Sequence, residues 1–166
     1  MFVLVALTSL LVTPDYDTLI DKLAGERTTA MQAHHSLRIA GTEAFPALLK
    51  RIDDRTVIDN GLFQGATSQK PTLGSVTFEI IQYQIESAWP KGFREHYALN
   101  QQNVASWLAK HEGLSITQLR IRALVDSMDS LCREIETHGM NEFRLQNLSF
   151  FRDRLGKILD EAEKKQ

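Results

Sequence analysis

The side chains best equipped for chemistry are five histidines, one cysteine and a run of aspartates. His34 and His35 are neighbours in sequence. On a helix they project about 100° apart, which makes a shared metal ion unfavourable. Glu134 and His138 are one helical turn apart, a spacing that suits a metal pair or an ion pair. No second Glu-x-x-His or Cys-x-x-Cys accompanies them. The expectation is therefore a helix-end ion pair, since a protonated imidazole is favoured near a helix C-terminus. Cys132 sits beside Leu131 on an apolar stripe and reads as a core cysteine, with nothing to mark an activated thiolate. Asp53, Asp54 and Asp59 gather around the start of one loop. Three carboxylates there can hold a cation, but capping of a solvated loop is the favoured reading. Nucleophile-elbow, phosphate-loop, dinucleotide-glycine, zinc-protease and EF-hand patterns do not occur. No metal and no cofactor are assigned.

The other notable group is aromatic: Trp89, Phe93, Tyr97 and Trp107. Large aromatics are enriched where partners bind. Pro90 and Gly92 place the first three on or beside a loop, where recognition residues tend to sit. Trp107 has a helical spacing with Val104 and Leu108 that suits a core position, and Trp89 would then pin the loop to it. The candidate binding residues are Trp89, Phe93, Tyr97, Asp53, Asp54 and Phe63. Arg144, Arg152, Arg154 and Lys157 make a mildly basic face whose acidic neighbours suit solvation better than a polyanion site.

Helices must position these groups. Thr13-Pro14 starts a first helix, because proline is tolerated where the backbone N–H has no partner. Leu19, Ile20 and Leu23 form its stripe, and Gly25 stands at the expected left-handed cap. A second helix spans about 27–40. Thr42 caps a third, 43 to about 52. Thr72 caps a fourth, 73–87, and Asn100 a fifth, 101–111, closed by Gly113. Ser115 and Gln118 form a reciprocal capping box for the sixth. Asn141 caps the seventh, and the short connection predicts an antiparallel hairpin. Residues 53–72 are turn-rich, and a loop that long in a compact domain is usually functional or disordered. Val57, Ile58, Leu62 and Phe63 predict that it folds back onto the core.

The stretch Ala33 to Asp54 carries Leu37, Gly41, Glu43, Phe45, Pro46, Leu48, Leu49 and Asp53-Asp54 in an order that resembles one unit of the HEAT-like helical repeats. The likeness covers about twenty residues. It implies an α-α layer and a binding or scaffolding role, and it transfers no catalytic residue. About three stacked units are needed to stabilise a solenoid, so the C-terminal hairpin must close the core instead.

The chain of 166 residues carries a formal net charge of −2. That balance lacks the basic excess of a nucleic-acid binder. Residues Phe2 to Val12 are uncharged and would rise about 16 Å as a helix, too little to cross a membrane. Their length suits the apolar region of a signal peptide, although no basic residue precedes them and no cleavage motif follows. The competing reading is a buried N-terminal helix or strand. An exported or periplasmic location is favoured over a cytoplasmic one.

The sequence thus predicts an all-α chain of about seven helices, a HEAT-like layer followed by a long helical hairpin. Residues 1–13 form an apolar N-terminal segment and 14–166 one helical domain. The expected function is protein or peptide binding through loops 53–72 and 89–97. The alternative is a metal-dependent or hydrolytic enzyme with a site built from dispersed residues such as His96, His111, Asp53 and Glu95. Binding is favoured over catalysis.

Overall fold

A computed structural model describes residues 14–63, 70–86 and 98–164. These residues form seven α-helices and no strand. In chain order they are α1 (Tyr16–Lys22), α2 (Arg27–Ile39), α3 (Phe45–Lys50), α4 (Leu73–Glu86), α5 (Val104–Lys110), α6 (Ile116–His138) and α7 (Glu142–Glu163). A short 3-10 turn, Gly41–Ala44, precedes α3. The expected first helix begins slightly later than its proline, because the Asp15 side chain accepts the Thr18 N–H at 3.1 Å. Gly25 follows α1 but is not left-handed; Gly41, Gly113 and Gly139 are. The third helix, expected as one piece, is divided. Pro46 lies in the first turn of a six-residue α-helix that begins at Phe45, and Gly41–Ala44 before it take the tighter 3-10 path.

Helix α4 is the centre of the N-terminal region. Nine of its fourteen residues are buried, which is the behaviour of a helix apolar on more than one side. It packs against α2, α3 and α6. Ile80 and Ile81 are fully buried, alongside Leu37 of α2, Leu48 of α3, Val104 of α5 and Ala123 of α6. Buried polar groups are tied into this core. The Gln84 side chain donates to the Leu37 carbonyl at 2.9 Å, and Arg120 donates to the Gln84 carbonyl at 2.7 Å. One central helix is thereby bonded to α2 on one side and α6 on the other.

Helix α6 starts with the reciprocal cap its sequence predicts: Ser115 and Gln118 satisfy each other's backbone N–H groups. Its first turns lie in the N-terminal core and the remainder pairs with α7. Leu124, Leu131, Phe151 and Ile158 form a second, smaller core between these two helices. Arg144, near the start of α7, donates twice to Glu134, near the end of α6, at 2.7 and 2.9 Å. Glu134 thereby has a partner across the turn that the sequence reading did not offer. Arg144 also reaches the Gly139 carbonyl at 2.8 Å, so one guanidinium fastens both sides of the turn. Cys132 is exposed rather than in the core. A step of one residue from buried Leu131 is about 100° of helix rotation, enough to carry the thiol out of the two-helix seam. Among the described residues, no helix is long and apolar enough to cross a membrane. Residues 1–13 and the reading of them as a leader lie outside the described residues.

Candidate functional site

The stretch after α3 is held by unusually close backbone contact. Leu73 and Gly74, the first residues of α4, donate to the Thr56 and Asp54 carbonyls at 2.8 and 2.9 Å. Two N–H groups that a helix start leaves without intrahelical partners are thereby satisfied. Gly74 is required there: a Cβ at this position would lie 2.3 Å from the Ile52 carbonyl oxygen. Ile58 donates to Pro71 at 2.9 Å, and Val57 bridges Thr72 in antiparallel register. Ile58 is buried as expected, but Val57 is 55% exposed, pointing to the other side of that bridge. Lys70 pairs with Asp59 across the same stretch. Thr72 and Ser75 cap α4 reciprocally, each backbone N–H bonding the other's hydroxyl.

A second segment, 98–103, comes up against this turn. The Asn100 side chain accepts the Gln102 and Asn103 N–H groups at 3.0 and 2.9 Å, which delays the start of α5 to Val104. Gln101 then donates to the Ile52 carbonyl at 2.7 Å. Between the two segments lies an open depression of about 320 Å³, lined by Asp53, Asp54, Arg55, Thr72, Gln101 and Gln102.

The lining groups differ in their freedom. Asp54 accepts the Thr56 N–H at 2.9 Å and pairs with Arg51 at 3.3 Å. Hydrogen bonds from Thr56, through its side chain and then its backbone, hold the Asp54 carboxyl below its ordinary range, with help from the Arg51 charge. Asp54 is therefore a brace. Asp53 is exposed and, like Arg55, has no hydrogen-bond or ion-pair partner among the described residues. The depression thus offers one available carboxylate, one available guanidinium and two side-chain amides. Such a set suits a polar ligand with both donors and acceptors. Among the described residues no three His, Cys, Asp or Glu side chains are grouped to hold a metal ion.

Other sequence candidates fall elsewhere. Phe63 packs on the core, with its ring 5.2 Å from that of His34 and steeply inclined to it. Burial is the main cause that lowers the His34 pKa, followed by the Arg38 and His35 charges. Trp107 is nearly buried and donates to Asp126 at 2.8 Å, tying α5 to α6. His111 lies over it, ring centres 4.4 Å apart, with Nδ1 at 2.8 Å from the Trp107 carbonyl. His111 does not line the depression. Trp89, Phe93, Tyr97, Glu95 and His96 lie outside the described residues. Gln101 and Gln102 were missed in the sequence because only the neighbouring Asn100 carried a recognisable signal, that of a cap.

Comparison with protein families, with curated proteins and with solved structures finds no match to this chain.

Proposed function

We propose that this chain is a protein- or peptide-binding module whose recognition surface is centred on the depression between residues 53–56 and 98–103. The observation that carries this reading is that Asp53 and Arg55, on a turn whose backbone is otherwise clamped, have no partner among the described residues. A rigid frame with free charged tips loses little entropy on binding. An extended peptide with a basic side chain for Asp53 and an acidic one for Arg55 suits these groups, with Gln101 and Gln102 for its backbone amides. The HEAT-like character of 33–54 supports the same reading, since that family's motif builds scaffolds rather than catalytic centres. The loop aromatics Trp89, Phe93 and Tyr97 supply the apolar part of the recognition surface in this proposal.

A displayed random-peptide library tests it. The intact chain should enrich a peptide consensus containing both charge signs. Asp53→Ala with Arg55→Ala should weaken the enriched peptide at least tenfold, with helicity and Tm unchanged. Trp89→Ala with Phe93→Ala should weaken it as well. Enriched peptides that bind the charge variant as tightly as the parent would sink the assignment of the site, as would a library from which nothing is enriched.

A further inference from the structure

Glu86 is the last residue of α4 and is 2% exposed. Its Oε1 accepts the Leu99 backbone N–H at 3.2 Å. One turn earlier, Gln82 donates its side-chain amide to the Leu99 carbonyl at 3.1 Å. Two side chains on α4 thus grip both backbone groups of one residue, much as a neighbouring strand would. Leu99 is itself buried, and it leads two residues later to Gln101, the residue that reaches across the depression to Ile52. The other carboxyl oxygen of Glu86, Oε2, is buried and has no hydrogen-bond partner among the described residues.

We propose that Glu86 is a proton-controlled latch: its neutral carboxyl holds Leu99 against α4, and its ionisation loosens that hold and the wall of the depression beyond it. A neutral carboxyl leaves one orphan O–H in the interior. A carboxylate places a full charge in the interior with a donor on one of its two oxygens, which is far more costly. Burial is the main cause that raises the Glu86 pKa from 4.5 to about 7, and the neighbouring donors of Leu99, Gln82 and Ala98 oppose it only in part. Among the described residues, no charged side chain contributes to that shift. On the helices packed against α4, Arg38 of α2 lies over the Tyr83 ring, Lys50 of α3 pairs with Asp17 at 3.6 Å, and Arg120 of α6 bonds the Gln84 carbonyl. Segment 98–103 has no titratable side chain.

The sign follows from proton linkage. A carboxyl whose pKa is raised in the closed state binds more protons there than in the opened state, so closure weakens as pH rises. The contribution is full below about pH 4.5, declines between there and about pH 7, and is lost above. Between pH 5 and pH 8 the closing equilibrium should fall about 70-fold.

Hydrogen exchange of the Leu99 amide, corrected for its intrinsic pH dependence, reads this directly and needs no ligand. In the full chain its protection should fall about 70-fold from pH 5 to pH 8, while Glu86→Gln should keep it nearly level. A level profile in the parent, or the same decline in the variant, overturns the latch. If Glu86→Gln does not fold, carbon-13 titration of the parent Glu86 carboxyl decides: a midpoint near 7 supports the latch and one near 4.5 overturns it. The consequence for the depression rests on the binding reading above; the latch does not. Peptide binding that fails while Leu99 exchange behaves as expected removes the site and leaves the latch standing.

Discussion

Gln84 and Asn147 are both buried amides on long helices, and they are treated in opposite ways. Gln84 sits where three helices meet and donates to Leu37. Asn147 lies in the seam of α6 and α7, fully buried, with neither its oxygen nor its nitrogen partnered among the described residues. Ser127, across on α6, is also fully buried with an unpartnered hydroxyl. The contrast extends to apolar groups. The N-terminal region surrounds α4 with several neighbours. The hairpin has a core of four buried side chains and leaves Phe143, Leu145 and Leu159 about half exposed. Many-sided packing brings backbone carbonyls within reach of a buried amide. A seam of two helices offers mainly side chains, because helical carbonyls are already used along each axis.

The largest test of this contrast removes a core side chain from each region. Ile80→Ala should cost about 2–5 kcal/mol and Phe151→Ala about 3–5 kcal/mol. The readout that distinguishes them is residue-resolved hydrogen exchange. Ile80→Ala should lower protection throughout the described helices. Phe151→Ala should lower it in α7 and the later turns of α6 while α4 keeps its protection. Equal loss everywhere after Phe151→Ala would mean one cooperative unit and would dissolve the distinction.

A smaller effect of opposite sign comes from the orphan amide. Asn147→Leu replaces two unsatisfied polar atoms with apolar ones of similar volume and should stabilise the chain by about 1–3 kcal/mol in denaturant melts. Gln84→Leu should destabilise it, since the Leu37 carbonyl would lose its donor. Destabilisation by Asn147→Leu would show that the hairpin amide is satisfied in solution. The smallest effect is at the junction of the two regions. Ser115→Ala removes the cap of α6 and should cost about 1 kcal/mol, with exchange rising first in the opening turn of that helix.

Local signals were the legible part of the fold. The Ser115–Gln118 box and the Thr72 and Asn141 caps concern residues three apart, and sequence spacing is enough to place them. The all-helical class follows from them and from the apolar period. Longer-range facts were not legible. Arg144 reaches Glu134 because the turn at Gly139 brings a guanidinium with parallel donors alongside. Cys132 leaves the seam by one step of helix rotation. Asp53 and Asp54 stood out as a pair, but their separate fates, one free and one braced, depend on Thr56 and Arg51. The depression itself depends on Gln101 meeting Ile52, a contact across 49 residues. Glu86 carried no signal, since helical spacing does not reveal that the chain returns at Leu99 to cover it.

Helix α6 belongs to both cores, and that makes it a mechanical element. Its 23 residues span about 34 Å, so a tilt of about 5° at the Leu119 end would swing the far end by about 3 Å. The exposed thiol of Cys132 rides about two-thirds of the way along that helix, and it is the only cysteine in the sequence. A single dye attached there would therefore act as the pointer of a lever whose fulcrum is the N-terminal core.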